Sequence, residues 1–260
     1  MSAALKSLIR RGLPTGLRPH RILSGSLRGV RMVTSWHDYP AGITGRTERP
    51  LLEWFDENAK PGETWLDVGA HYGYTAIALS RRVGQAGRVF AFEPIVSTAG
   101  CVAQTRVLNG LSQLTIVPIG LGTPDTLACL RLPLERGMAD LTLDVDAEVW
   151  EEPLQIARFD WLWPFLNGGV DAIDGAKIDV QGMEIDVLKG MRDLLRRQQP
   201  KLVVEFHRGV DRLAVLELLR EAGYPTNPYA IEQKRDATQD DLQDNCSYAF
   251  VADRASARRV

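Results

Sequence analysis

At 260 residues the chain has room for one α/β domain with a full core and little more. An apolar share of 45% beside 25% charged residues excludes a disordered or fibrous chain, and a net charge of −2 argues against a general nucleic-acid binder. The three cysteines, Cys101, Cys129 and Cys246, show no metal-ligand spacing and fit a reducing, cytoplasmic compartment.

No apolar run approaches the roughly 20 residues that a membrane span requires. The chain opens instead on a basic leader, in which Lys6, Arg10, Arg11, Arg18, Arg21, Arg28 and Arg31 precede the first acid, Asp38. Mitochondrial transit peptides share that composition, but Pro14, Pro19 and several glycines break any long amphipathic helix. Residues 1–50 are therefore read as a basic surface or lid segment, and 51–260 as the main domain.

Leu51–Asn58 reads as a short helix closed by Lys60-Pro61-Gly62. Beyond it, apolar runs alternate with helical periodicity, which predicts a mainly parallel sheet. Trp65–Val68, Arg88–Phe92 and Leu114–Ile119 are the first strands, separated by helices over Tyr74–Arg82 and Ser97–Leu108. Gly84 and Asn109-Gly110 end those helices. Leu127–Asp146 alternates in short segments that predict an inserted hairpin. Ala176–Val180 is the fourth core strand and Lys201–Phe206 the fifth. Between them Glu184–Arg197 predicts a helix with Ile185, Leu188, Met191 and Leu195 on one stripe. Asp211–Ala222 is a further helix, and Tyr229–Glu232 with Tyr248–Val251 predict a closing antiparallel pair.

The segment Asp67-Val68-Gly69-Ala70-His71-Tyr72-Gly73 sits where the first strand turns into its helix. Glycine there lets the backbone approach a ligand closely. A dinucleotide would call for G-x-G-x-x-G under its pyrophosphate, but the glycines here are Gly69 and Gly73, behind an acid. Asp67 would repel a pyrophosphate and suit a cationic amino-acid group, which disfavours an NAD-linked oxidoreductase. Glu93, followed by Pro94, ends the second strand, where a carboxylate can accept hydrogen bonds from both hydroxyls of a ribose. An acid-G-x-x-x-G turn with Glu at the next strand end is the arrangement expected for S-adenosylmethionine.

With these residues the sequence resembles the FkbM-type methyltransferases. Asp67–Gly73 matches the family's D-V-G-A-N-x-G, with His71 in place of Asn; Phe92-Glu93-Pro94 and Leu108–Leu111 match its F-E-P and L-N-G-L elements. Lys177–Glu184 matches K-I-D-V-E-G-x-E, with Gln181 in place of Glu; Glu205 matches a strand-end carboxylate, and Gly45-Arg46-Thr47-Glu48 an upstream element. The resemblance implies an α/β, Rossmann-like class I methyltransferase fold: a seven-stranded, mainly parallel sheet with helices on both faces. It also implies S-adenosylmethionine as cofactor, held by Glu48, Asp67, Gly69, Ala70, His71, Gly73, Glu93 and Asn109. The acceptor it implies is a small-molecule hydroxyl on a sugar, glycoside or polyketide-like product. An N-methyltransferase, or a cofactor-binding protein without turnover, is the alternative.

A hydroxyl is a poor nucleophile near neutral pH and needs a base or a metal. Asp179, Gln181, Glu205 and His207 would converge beyond the ends of the fourth and fifth strands. His207, or failing it Asp179, is the candidate base, Glu205 is a further catalytic candidate, and Lys177 would orient Asp179 or the acceptor. Asp179 and Glu205 could instead hold Mg or Mn through oxygen ligands. Trp36, Tyr39, Tyr72, Trp161 and Trp163 are candidates for a stacking wall.

Overall fold

The computed structural model describes residues 12–125, 128–135, 138–139, 151–167 and 172–252. The leader contributes a hairpin, β1 (Arg18–Arg21) and β2 (Arg31–Thr34), and two helices, α1 (Pro40–Thr44) and α2 (Arg49–Asn58). The first half of the main sheet follows as β3 (Thr64–Val68), α3 (Tyr74–Val83), β4 (Arg88–Phe92), α4 (Val96–Asn109) and β5 (Leu114–Val117). A side ribbon comes next: β6 (Gly120–Leu121), β7 (Ala128–Glu135), β8 (Met138–Ala139) and β9 (Glu151–Ala157). After α5 (Phe159–Leu166), the second half runs β10 (Gly175–Ile178), α6 (Glu184–Gly190), α7 (Arg192–Gln198), β11 (Lys201–Phe206) and α8 (Arg212–Glu221). It ends in β12 (Tyr229–Ala230), β13 (Arg235–Asp236) and β14 (Cys246–Phe250).

Among the described residues the central sheet has eight strands, ordered β13-β12-β14-β11-β10-β3-β4-β5, with β5 to β11 mutually parallel and β14 antiparallel. This is the expected seven-stranded sheet plus β13, a two-residue edge paired with β12. Strand alternation feeds both faces. Leu66 and Val68 pack into one core with α5 to α8, while Trp65, next to Leu66 on the opposite face, packs into the other with α2 to α4. The chain leaves β3 for β4 and β5, then returns to β10 on β3's other side. The crevice beyond β3 and β10 is thus the switch point where open sheets bind ligands.

Three expectations change. The helix over 184–197 is two helices, because Met191 leaves helical geometry at φ −107°, ψ 14°. Gly190 packs on the carbonyl of Gly122, and the Asp160 carboxylate accepts the N–H groups of Asp193 and Leu194, starting a new helix there. The inserted hairpin is a ribbon in which β7 pairs antiparallel with both β8 and β9; residues 127, 136–137 and 140–146 lie outside the described residues. The leader shares the main core: Ile22, Met32 and Val33 are buried with Trp65 and Ile77, and Val33 N–H donates to Thr105 Oγ1 of α4 at 2.9 Å. Lys6, Arg10 and Arg11 lie outside the described residues. Among the described residues, no helix is long and apolar enough to cross a membrane.

Candidate active site

A cleft of about 340 Å³ opens at the switch point, lined from the leader by Asp38, Tyr39 and Glu48, from the first turn by Gly69 to Tyr72, and from later strands by Glu93, Lys177, Asp179 and Glu205. Its geometry starts at Gly69, whose φ is +83°. A β-carbon there would collide with the Asp179 carbonyl oxygen, so only glycine lets the turn after β3 close against the end of β10. Gly73, also at positive φ, starts α3 against Val102 and does not line the cleft.

Glu93 lines the cleft at the end of β4. Its Oε2 accepts the His71 N–H at 2.8 Å and its Oε1 the Ile95 N–H at 3.0 Å. Burial pushes its carboxyl up to about 7, against the pull of those two bonds. Each oxygen keeps a lone pair for a ligand hydroxyl. Asp67 is fully buried behind the turn. Its Oδ2 accepts from Thr75 Oγ1 at 2.7 Å, and burial raises its pKa although Lys177 and Thr75 oppose this. It reaches a ligand only through the field and shape of the turn.

Lys177, 3% exposed, places Nζ 2.9 Å from Asp179 Oδ2 and 3.6 Å from Asp67 Oδ1. Burial favours loss of its proton, but the carboxylates of Asp179, Asp67 and Glu48 reverse this and hold it charged. Burial likewise works against ionisation of Asp179, and Lys177 and His207 overcome it, so Asp179 stays ionised. Glu205 is pushed the other way, up to about 8, by the Asp179 charge and by burial. Burial raises Glu48 as well. His207 is buried and does not line the cleft. Its Nδ1 bonds Glu184 Oε1 at 2.7 Å, and its Nε2 lies 3.5 Å from Asp179 Oδ1 and 3.6 Å from Glu205 Oε1. Gln181, at φ +52°, lines the cleft with its amide 3.4 Å from Asp179 Oδ1.

The structure thus brings Glu48, Gly69, Ala70, His71, Glu93, Lys177, Asp179 and Glu205 to one cleft. Asn109 belongs elsewhere. Its side chain pairs with both backbone groups of Arg31 (3.1 and 2.6 Å) and donates to Thr105 O, tying the leader to α4 outside the cleft. Of the candidate aromatics, Tyr39 and Tyr72 stack at the cleft with centroids 6.1 Å apart. Trp163 is core, Trp161 sits on α5 beside Phe165, and Trp36 packs edge-on to His20.

Residues 67–226 match the FkbM methyltransferase domain. The chain belongs to the FkbM methyltransferase family. It is 27% identical over 191 residues to the hexuronic acid methyltransferase AglP of Haloferax volcanii, covering 74% of this chain and 75% of AglP. Among solved structures it is similar to the methyltransferase FkbM of Methylobacillus flagellatus (20% identity, TM-score 0.47, 81% of this chain and 52% of that one), spanning about half of that longer chain. It is also similar to Aeropyrum pernix fibrillarin with natively bound S-adenosylmethionine (15% identity, TM-score 0.45, 91% and 83%).

Cleft residues of this FkbM methyltransferase that sequence patterns missed are Asp38, Tyr74 and Thr75. Asp38 takes hydrogen bonds from Ser35 Oγ (2.5 Å) and Tyr72 Oη (3.2 Å) and contacts His37 Nδ1 at 2.9 Å, bonds that outweigh burial and keep its carboxyl low. Those contacts join the leader to the turn, and no local spacing announces them. Ligand atoms of Asp179, Glu205 and His207 lie within 4.8 Å of one another, the spacing of a metal-ligand set. Their chemistry does not fit a resident Mg or Mn. Asp179 Oδ2 already holds the buried Lys177 ammonium at 2.9 Å, so a second cation on that carboxylate would sit against an uncompensated positive charge.

Proposed function

We propose that this chain moves a methyl group from S-adenosylmethionine to a hydroxyl of a small polyhydroxylated acceptor, a sugar or glycoside. The observation that carries this reading is the pairing, at one end of the cleft, of an ionised Asp179 with a Glu205 of raised proton affinity. When bound, the cofactor supplies an electrophilic methyl on a sulfonium and needs nothing redox-active from the protein.

The protein's part is binding, orientation and proton handling. Glu93 would accept the ribose hydroxyls, and the apolar stretch of Leu121, Ile156 and Met183 beside it suits a purine. Glu48 and Asp179 in the cleft, with Asp67 buried behind it, surround Lys177 with more carboxylates than it can neutralise, which favours a cationic cofactor and weakens the hold on its uncharged product. At the other end, Asp179 would accept a hydrogen bond from a neighbouring hydroxyl of the acceptor, and Glu205, when ionised, would take the proton of the hydroxyl that receives the methyl group. A carboxylate with pKa near the working pH is a matched general base. Carboxylates also favour hydroxyl donors, and AglP's sugar-acid substrate supports a sugar-class acceptor. Gln181 leaves both acids in place, which favours turnover over mere cofactor binding.

The test is a mass-shift screen of neutral glycosides, uronic acids and amines with S-adenosylmethionine. Gain of one methyl on a glycoside oxygen is the expected result. Methylation confined to amines, or none with any acceptor class despite cofactor binding, would overturn it.

A further inference from the structure

Glu184, on the first turn of α6, is fully buried and lies outside the cleft. Its Oε1 is shared by two donors from different elements: His207 Nδ1 at 2.7 Å, just past β11, and the Gly182 N–H at 3.2 Å, in the turn after β10. Its Oε2 has no hydrogen-bond partner. An ionised carboxylate in such a place is costly unless a cation is paired with it. The His207 ring supplies that cation and, so held, presents Nε2 to both acids of the cleft, 3.5 Å from Asp179 Oδ1 and 3.6 Å from Glu205 Oε1.

We propose that Glu184 is a positioning residue for methyl transfer, holding His207 as an imidazolium against the Asp179–Glu205 pair and fixing the Asp179–Gly182 turn at the same time. The groups facing the ring come from three elements: Glu184 from α6, Asp179 after β10 with Lys177 behind it, and Glu205 from β11. Cys246 of β14, register partner of Phe206, is the further titratable neighbour, its thiol raised by burial first and then by Glu232 and Glu205. Burial would strip the ring of its proton; the Glu184 bond and the charges of Asp179, Glu184 and Glu205 reverse that, to about 9. The resulting cation keeps Asp179 ionised and lets Glu205 give up its proton nearer neutrality than two adjacent carboxylates otherwise would. No atom of Glu184 meets the acceptor. Its effect passes through His207.

The effect on turnover rests on the proposed hydroxyl methylation; the state of the ring does not. Nitrogen NMR of the imidazole in the acceptor-free protein should show His207 carrying both ring protons at neutral pH and titrating near 9. In Glu184→Gln, which keeps the shape but not the charge, the titration should fall by about one unit or more. A wild-type ring neutral at neutral pH, or a superimposable titration in the variant, overturns the proposal. With an acceptor in hand, Glu184→Gln should lose about tenfold in kcat with S-adenosylmethionine affinity unchanged. Its pH–rate limb should move to higher pH, because Glu205 loses the cation beside it, and Glu184→Asp should recover part of the rate. An unmoved pH–rate profile reduces Glu184 to a structural role and overturns the positioning claim. Should no acceptor be methylated at all, the NMR result still stands or falls alone, which separates the two failures.

Discussion

Lys177 on β10 and Asp67 on β3 are register partners across the switch point, their charged atoms 3.6 Å apart, and the same ammonium holds Asp179 at 2.9 Å. One buried cation therefore serves an acid under the Gly69 turn and an acid beside Glu205. Lys177→Met would leave Asp67 without a cation and Asp179 with the His207 ring alone, and removing one partner of a buried pair costs about 3–5 kcal/mol. Denaturant unfolding should show a loss of that size, well beyond the ~1 kcal/mol typical of a point substitution. A midpoint within experimental scatter of wild type would show that this pairing is not a stabilising one.

Glu93, Glu205 and His207 all bind protons more tightly in the fold than in a free chain, at about 7, 8 and 9. A raised folded pKa means stability fully present below the unfolded pKa and lost as pH rises through the folded value. The ligand-free protein should therefore unfold at progressively lower denaturant from pH ~4.5, where the free glutamates ionise, to pH ~9, by at most about 1.4 kcal/mol per unit for each titrating group. Glu205→Gln should flatten part of that slope. Stability constant or rising over the window would contradict the burial of these groups.

The fold was legible because apolar runs and helical stripes obey local periods: Lys201–Phe206 is the strand its composition predicts, and Asp211 caps α8 through Ala214 N–H. The glycine turn after β3 was legible for a related reason, since Gly69 must be glycine where two backbones meet. What could not be read was commitment of a side chain to a distant partner. Asn109 carries a family pattern, yet its amide is spent on Arg31, 78 residues away. Glu184 was visible as the last letter of a motif, but its partner His207 lies just past β11, 23 residues further on. Asp38 is 34 residues from the Tyr72 hydroxyl it accepts from.

For the chemical step, turnover with saturating acceptor should rise through an apparent pKa near 8 as Glu205 ionises. Glu205→Gln should abolish that limb and lower kcat at least about a hundredfold, while calorimetry shows cofactor affinity within about twofold of wild type. Retention of the limb in Glu205→Gln would show that another group sets it, His207 being the neighbour that titrates in this range, and would remove Glu205 as the base.

Metal removal gives a further discriminating outcome. With Lys177 serving Asp179 and His207 protonated, excess chelator followed by dialysis should leave turnover intact. Activity lost on chelation and restored by magnesium or manganese would return Asp179 and Glu205 to the role of ligands, with His207 deprotonated beside them.

Glu93 and Asn109 offer a paired test of where the cofactor sits, since both belong to motif-like segments and only one lines the cleft. Glu93→Ala should cost S-adenosylmethionine about 1.5–3 kcal/mol of binding free energy, the range of hydrogen bonds to a charged group. Because Glu93 ionises near 7, wild-type affinity should improve as pH rises through that value, and Glu93→Gln should lose the dependence. NAD should not bind either form. Asn109→Ala removes bonds to Arg31 and Thr105 instead, so it should lower stability by about 1 kcal/mol and leave cofactor affinity unchanged. Calorimetry and denaturant unfolding on the two variants make the comparison. Loss of cofactor affinity in Asn109→Ala without loss of stability would place that amide at the ligand after all, and would mean that the leader rests on α4 less firmly than its hydrogen bonds indicate.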